Sequence, residues 1–181
     1  MNLRALLPLV VLAAAGCAAP EPAPEPKPVE VARFTLEARA GSTLRGGGVF
    51  SRMPDGRIRL VMEVESVEPG LHAAHIHEHG DCSDPKAASA GGHWNPTSKP
   101  HGSWGQADGN FHLGDLGNME VGADGNGRLE IVTNLWTVGD GGPVDVVGRS
   151  IIVHAKPDDF TTQPTGNAGD RIGCGPIVIA K

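Results

Sequence analysis

The chain of 181 residues carries a formal net charge of −6, with 26 glycines, few aromatic residues and no tyrosine. An acidic chain without clustered Lys and Arg argues against a nucleic-acid partner, because neutralising phosphates requires concentrated positive charge. The length allows one domain with a modest core, and abundant glycine beside Val, Ile and Leu favours short strands over helices, so the class is all-β.

At the N-terminus, Arg4 precedes the apolar run Ala5 to Ala15, which is too short to cross a bilayer, ends in small residues and reads as an export signal. The junction Ala14-Ala15-Gly16-Cys17 resembles a bacterial lipoprotein signal. That resemblance implies acylation of Cys17 and membrane attachment through its lipid; an ordinary secretory signal cut near Ala19 is the alternative. Ala18 lacks the aspartate associated with inner-membrane retention, which leans towards the outer membrane. The expected organisation is a signal peptide over 1–16, a lipidated cysteine and Pro/Glu/Ala-rich tether over 17–30, and one domain over 31–181. Proline keeps such a tether extended and deprives it of backbone donors. The expected location is the periplasm or cell envelope.

Strands are expected at Val29–Ala38, Val49–Met53, Arg57–Val64, Leu71–His77, Arg128–Val138, Arg149–Lys156 and Pro176–Ala180. Arg57–Val64 carries the plainest signal, because Ile58, Leu60, Met62 and Val64 recur with the period of two that a half-buried strand shows. Turn chemistry at Pro54-Asp55-Gly56, Glu68-Pro69-Gly70, Asp124-Gly125-Asn126-Gly127 and Asp140-Gly141-Gly142-Pro143 separates the strands. The pattern suits a sandwich or barrel. Two segments, Glu78–Phe111 and Pro157–Gly173, exceed ordinary connections, and loops of that length are commonly functional.

The cysteine count agrees with export. With Cys17 assigned to a lipid, Cys82 and Cys174 remain as a pair, and a disulfide between them is expected, against the alternative of two buried thiols. All eight histidines fall between His72 and His154. His75 and His77 alternate on an expected strand and would present two imidazoles on one face, which suits a metal ion.

Several separate blocks carry a family resemblance: Gly70-Leu71-His72-Ala73-Ala74-His75-Ile76-His77-Glu78-His79-Gly80-Asp81, Gly91-Gly92-His93-Trp94-Asn95-Pro96, His101-Gly102, His112-Leu113-Gly114-Asp115-Leu116-Gly117-Asn118, Gly148 to His154, and Gly166 to Gly175. In order, residue type and interval they resemble copper/zinc superoxide dismutases from about Phe34 to Lys181. The resemblance implies a Greek-key β-sandwich or flattened β-barrel with two long functional loops. It also implies copper held by His75, His77, His93 and His154, and zinc held by His93, His101, His112 and Asp115. Imidazole suits both metals, and zinc accepts three imidazoles with one carboxylate. His93 would serve as bridge and proton relay, while copper alternated between two oxidation states to convert two superoxides into dioxygen and hydrogen peroxide.

By the same resemblance Arg171 attracts and holds superoxide beside copper, and Thr165 lines its channel. His72 supports the copper site, and Asp158 hydrogen-bonds one copper and one zinc histidine from outside, with Asp159 as the competing assignment. His79 receives no role. The segment before Arg171 departs from the family, having Thr161-Thr162-Gln163-Pro164 where eukaryotic members carry charged residues. Local positive potential would then come from Lys99, Lys156 and Arg171. A metal-storage protein with the same ligands is the competing reading, and a homodimer stays open.

Overall fold

The computed structural model describes residues 27–181. The expected signal peptide and Cys17 lie outside those residues, as does most of the tether. Nine strands follow in order: β1 Val29–Ala38, β2 Arg45–Arg52, β3 Ile58–Glu65, β4 Gly70–His77, β5 Asp115–Val121, β6 Gly127–Thr133, β7 Ser150–His154, β8 Arg171–Pro176 and β9 Val178–Ile179. β1 therefore starts inside the span assigned to the tether. The hydrogen-bonded order is β2-β3-β6-β5-β4-β7-β8-β1-β9, and β1 also pairs β2, so eight strands close an antiparallel barrel with β9 appended to β1. Closure removes the free edges an open sheet would expose.

Local sequence explains the strands. β3 buries Ile58, Leu60, Met62 and Val64 and turns Glu63 and Glu65 outward, and β6 repeats the alternation with Leu129 and Ile131 inward. β2 begins earlier than Val49 because three glycines precede it and their neighbours need that space. A Cβ on Gly47 would stand 2.6 Å from the Phe34 carbonyl oxygen, and one on Gly48 would stand 2.7 Å from the Phe34 ring. β5 and β8 are strands that residue pattern alone does not indicate; the strand expected over Pro176–Ala180 is the short β9, and Arg171 to Gly173, expected in the second irregular segment, open β8. Ladder pairing imposes them: β5 on β4, and β8 on β7 and β1.

The core centres on Phe50, Leu60, Met62, Ile76, Met119 and Ile151. An aromatic series leaves it for the first long loop: Phe34 contacts Phe50, Phe50 meets Trp136 edge-on, Trp136 contacts Trp104, and Trp104 meets Phe111. Trp136 also donates its indole N–H to the Leu113 carbonyl at 3.0 Å. Trp136→Ala should cost about 3–5 kcal/mol, measured by urea unfolding, because it opens a cavity and strands the Leu113 carbonyl.

β4 is buried on both faces. Ala74 and Ile76 join the core, whereas His75 and His77 point outward and are covered. The cover comes from two loops, residues 78–114 between β4 and β5 and residues 155–170 between β7 and β8. A disulfide joins Cys82 in the first loop to Cys174 in β8 and packs with Ala87, Ala90 and Ile152 in a second small core.

Candidate dinuclear metal centre

Backbone pairing brings the polar residues to β4. The Ile76 N–H donates to the Gly114 carbonyl, the Ile76 carbonyl accepts from Trp94, and Gly114 donates to the Trp94 carbonyl, at 2.8–3.0 Å. This pins His93 on one side and Asp115, the first residue of β5, on the other. His154 ends β7, which pairs with both β4 and β8. His101 and His112 come from the first loop.

Two clusters result, one of His75, His77, His93 and His154, the other of His93, His101, His112 and Asp115. Within each, one potential ligand atom from every residue lies within 4.8 Å of the others. All seven residues are at most 7% exposed.

The ring nitrogens divide their tasks. His75 Nε2 lies 2.8 Å from Asp158 Oδ2, His77 Nδ1 donates to the Gly91 carbonyl at 3.0 Å, and His154 Nδ1 to that of Gly169 at 3.3 Å. Their opposite nitrogens, together with His93 Nε2, are buried without a hydrogen-bond partner among the described residues. In the second cluster, His93 Nδ1 and His112 Nδ1 lie 3.0 and 3.1 Å from Asp115 Oδ1, and His101 Nδ1 lies 3.0 Å from Oδ2. A tetrahedron built on zinc bonds of about 2.0 Å has edges of about 3.3 Å, so these separations suit a zinc ion.

The electrostatics agree. Burial holds His77 and His154 well below the usual histidine range, keeping them in the neutral form a metal requires. Burial also lowers His93, to about 4, against the pull of Asp115. At His101 burial opposes protonation, but the carboxylates of Asp115 and Asp158 prevail and raise it to about 9. The Asp115 carboxyl, although burial pushes it upward, is held far below its ordinary value by the three histidines facing it. Two buried carboxylates thus demand a cation at His101, which a proton or a metal ion supplies.

Asp158, not Asp159, spans the two clusters: Oδ2 meets His75, and Oδ1 meets His101 Nε2 at 2.9 Å. Asp159 is exposed and bonds Thr161 and Thr162. Asn118, which residue pattern alone does not single out, holds Asp158 from β5. Its side-chain oxygen accepts from the Asp158 N–H at 2.7 Å, and its NH2 donates to the Asp158 carbonyl at 2.9 Å. Gly166 admits this arrangement, with φ of +63° and a Cβ that would stand 2.6 Å from His101 Nε2.

Arg171 opens β8 opposite His154. Its guanidinium donates to the carbonyls of Ala87 at 2.6 Å and Gly91 at 2.8 Å, the second being the carbonyl that also receives His77. The disulfide-tethered loop therefore fixes a cation and a cluster histidine on one acceptor. His72 is buried with its two ring nitrogens 2.8 Å from the carbonyls of His154 and Glu68. Thr165, His79, Lys99 and Lys156 are exposed, and His79 belongs to neither cluster.

A family model described as copper/zinc superoxide dismutase matches residues 45–177. The chain is 40% identical over 158 residues to an extracellular superoxide dismutase [Cu-Zn] of Onchocerca volvulus, covering 78% of this chain and 76% of that protein. Among solved structures, the clock protein EA4 superposes with a TM-score of 0.73 at 32% identity, covering 88% of this chain and all of that one. A double mutant of a SOD-like protein from Bacillus subtilis superposes with a TM-score of 0.71 at 35% identity, covering 81% of this chain and 96% of that one.

Proposed function

Because the chain belongs to the copper/zinc superoxide dismutase family, an enzyme family whose metals are copper and zinc, we propose that His75, His77, His93 and His154 hold the copper of this chain and that His93, His101, His112 and Asp115 hold its zinc. One observation carries this assignment. His75 Nδ1, His77 Nε2, His154 Nε2 and His93 Nε2 are buried with no hydrogen-bond partner among the described residues, while each ring's other nitrogen is engaged. Buried polar atoms without partners are costly, and a cation satisfies them together.

Copper held there would supply a one-electron couple for superoxide chemistry, and zinc a fixed charge beside it. The protein groups do the rest. His93 Nε2 is the atom suited to hold a proton and pass it to the departing peroxide, because burial shields it and Asp115 steadies the ring through Nδ1. Asp158 fixes His75 and His101 in register. Arg171, anchored by Ala87 and Gly91, attracts the anion and donates hydrogen bonds to it. Thr165 lines the approach, and His72 steadies the backbone of His154.

The same reading places the enzyme outside the cytoplasm, in the periplasm or cell envelope, anchored through a lipid on Cys17 with the outer membrane preferred. Support comes from the apolar N-terminal run, from a disulfide suited to oxidising compartments, and from the word extracellular in the Onchocerca volvulus relative's name.

Pulse radiolysis of the chain loaded with both metals tests the assignment of Arg171. Arg171→Ala should lower the second-order rate of superoxide removal about 10-fold or more while flattening its dependence on ionic strength, with copper content unchanged. Equal rates would remove Arg171 from substrate guidance. No activity in the fully loaded wild type would favour metal storage.

A further inference from the structure

We propose that Gln163 is a positioning residue for zinc: its carboxamide closes on the backbone of His101 and makes tight zinc binding depend on the loop of residues 155–170 being seated. The inference rests on the zinc assignment above.

Gln163 Oε1 accepts from the His101 N–H at 2.8 Å, and Gln163 Nε2 donates to the His101 carbonyl at 2.9 Å. His101 is 3% exposed, and its backbone groups have no other hydrogen-bond partner among the described residues. One side chain from the opposite loop therefore satisfies both polar groups of a buried residue, where an unpaired donor or acceptor is destabilising. The ring of His101 is held separately, through Nε2 on Asp158. With backbone and far nitrogen both fixed, Nδ1 has one direction left, towards Asp115.

The device occurs twice in succession. Asn118 clamps the N–H and carbonyl of Asp158, Asp158 holds the His101 ring, and Gln163 clamps the His101 backbone. Asn118 anchors the loop to the barrel, whereas Gln163 carries the loop onto the zinc lobe. His101 belongs to the second cluster alone, so disturbing it acts on zinc and spares copper.

The test compares zinc and copper affinities by chelator competition in wild type, Gln163→Ala, Gln163→Glu and His112→Ala, with the visible spectrum of cobalt substituted for zinc as a geometric readout. Gln163→Ala should weaken zinc by roughly 10- to 100-fold, the range expected for a group that orients a metal ligand, alter the cobalt bands and leave copper affinity unchanged. Gln163→Glu can accept from the His101 N–H but cannot donate to its carbonyl, so it should fall between wild type and alanine. Wild-type zinc affinity and cobalt bands in Gln163→Ala would overturn the proposal, as would equal losses of zinc and copper. His112→Ala separates the two levels. If it too keeps wild-type zinc affinity, the zinc assignment fails and the proposal with it; if it alone loses zinc, only the role of Gln163 fails.

Discussion

Replacing His93 with alanine is expected to weaken copper and zinc together and to abolish superoxide removal. A four-ligand site that holds its ion with about 10–16 kcal/mol draws roughly 3 kcal/mol from each ligand, and 3 kcal/mol is about 100-fold in affinity. His93 belongs to both clusters, so one substitution should impose that loss twice. His112→Ala, confined to one cluster, should impose it on zinc alone. Chelator competition for each metal, read beside stopped-flow decay of superoxide, checks the pattern. A His93→Ala protein that loses one metal and keeps wild-type affinity for the other would show that the ring is not shared. The side chain is 2% exposed and its Nδ1 already meets Asp115, so alanine also leaves that carboxylate with one histidine fewer.

Loss of the disulfide is the second large effect. Cys82 and Cys174 are 92 residues apart in sequence, and closing a loop of that length restricts the unfolded chain enough to stabilise the fold by about 4–5 kcal/mol on the chain-entropy account. The Cys82→Ser, Cys174→Ser double variant should lose that much in urea unfolding. It should also lose activity while folded, because the tethered loop supplies the carbonyls of Ala87 and Gly91 that seat Arg171, and Gly91 also receives His77. The loop keeps other ties: Arg39 donates to the Cys82 carbonyl from Nε at 3.0 Å, and the Ala40 N–H donates to Pro85. The variant should therefore retain copper while its rate falls and its residual activity becomes more sensitive to temperature. An unchanged unfolding midpoint and rate would show that packing around Ala87, Ala90 and Ile152 already fixes the loop without the bond.

The alternation of Ile58, Leu60, Met62 and Val64 made β3 legible, because one face of that strand meets the core and the other meets water. β4 was legible for another reason: its outer face carries His75 and His77, so the chemistry marks a strand that burial on both sides would have blurred. β5 and β8 were not legible. Their runs, Asp115 to Val121 and Arg171 to Pro176, mix glycine and polar residues without a clean period, and only neighbours distant in sequence make them strands. Glycines 46 to 48 concealed the start of β2 in the same way, since their small size serves the adjoining backbones.

In the site, histidine and aspartate reveal themselves by residue type and interval. Asn118 and Gln163 do not, because an amide that clamps a backbone N–H and carbonyl leaves no pattern in the chain that holds it. The carbonyls of Gly91 and Gly169, which orient His77 and His154, have no side chain to announce them. Asp158 was the assignment and Asp159 its competitor; the fold turns the first inward and leaves the second on the surface.

Anomalous diffraction at the copper and zinc edges, on crystals loaded with both ions, tests most directly whether one imidazole joins two metals. Two peaks should flank the His93 ring, one facing Nε2 and the other Nδ1, about 6 Å apart if each ion sits at an ordinary bond length of about 2.0 Å. A single peak, or two peaks that do not share that ring, would contradict the assignment.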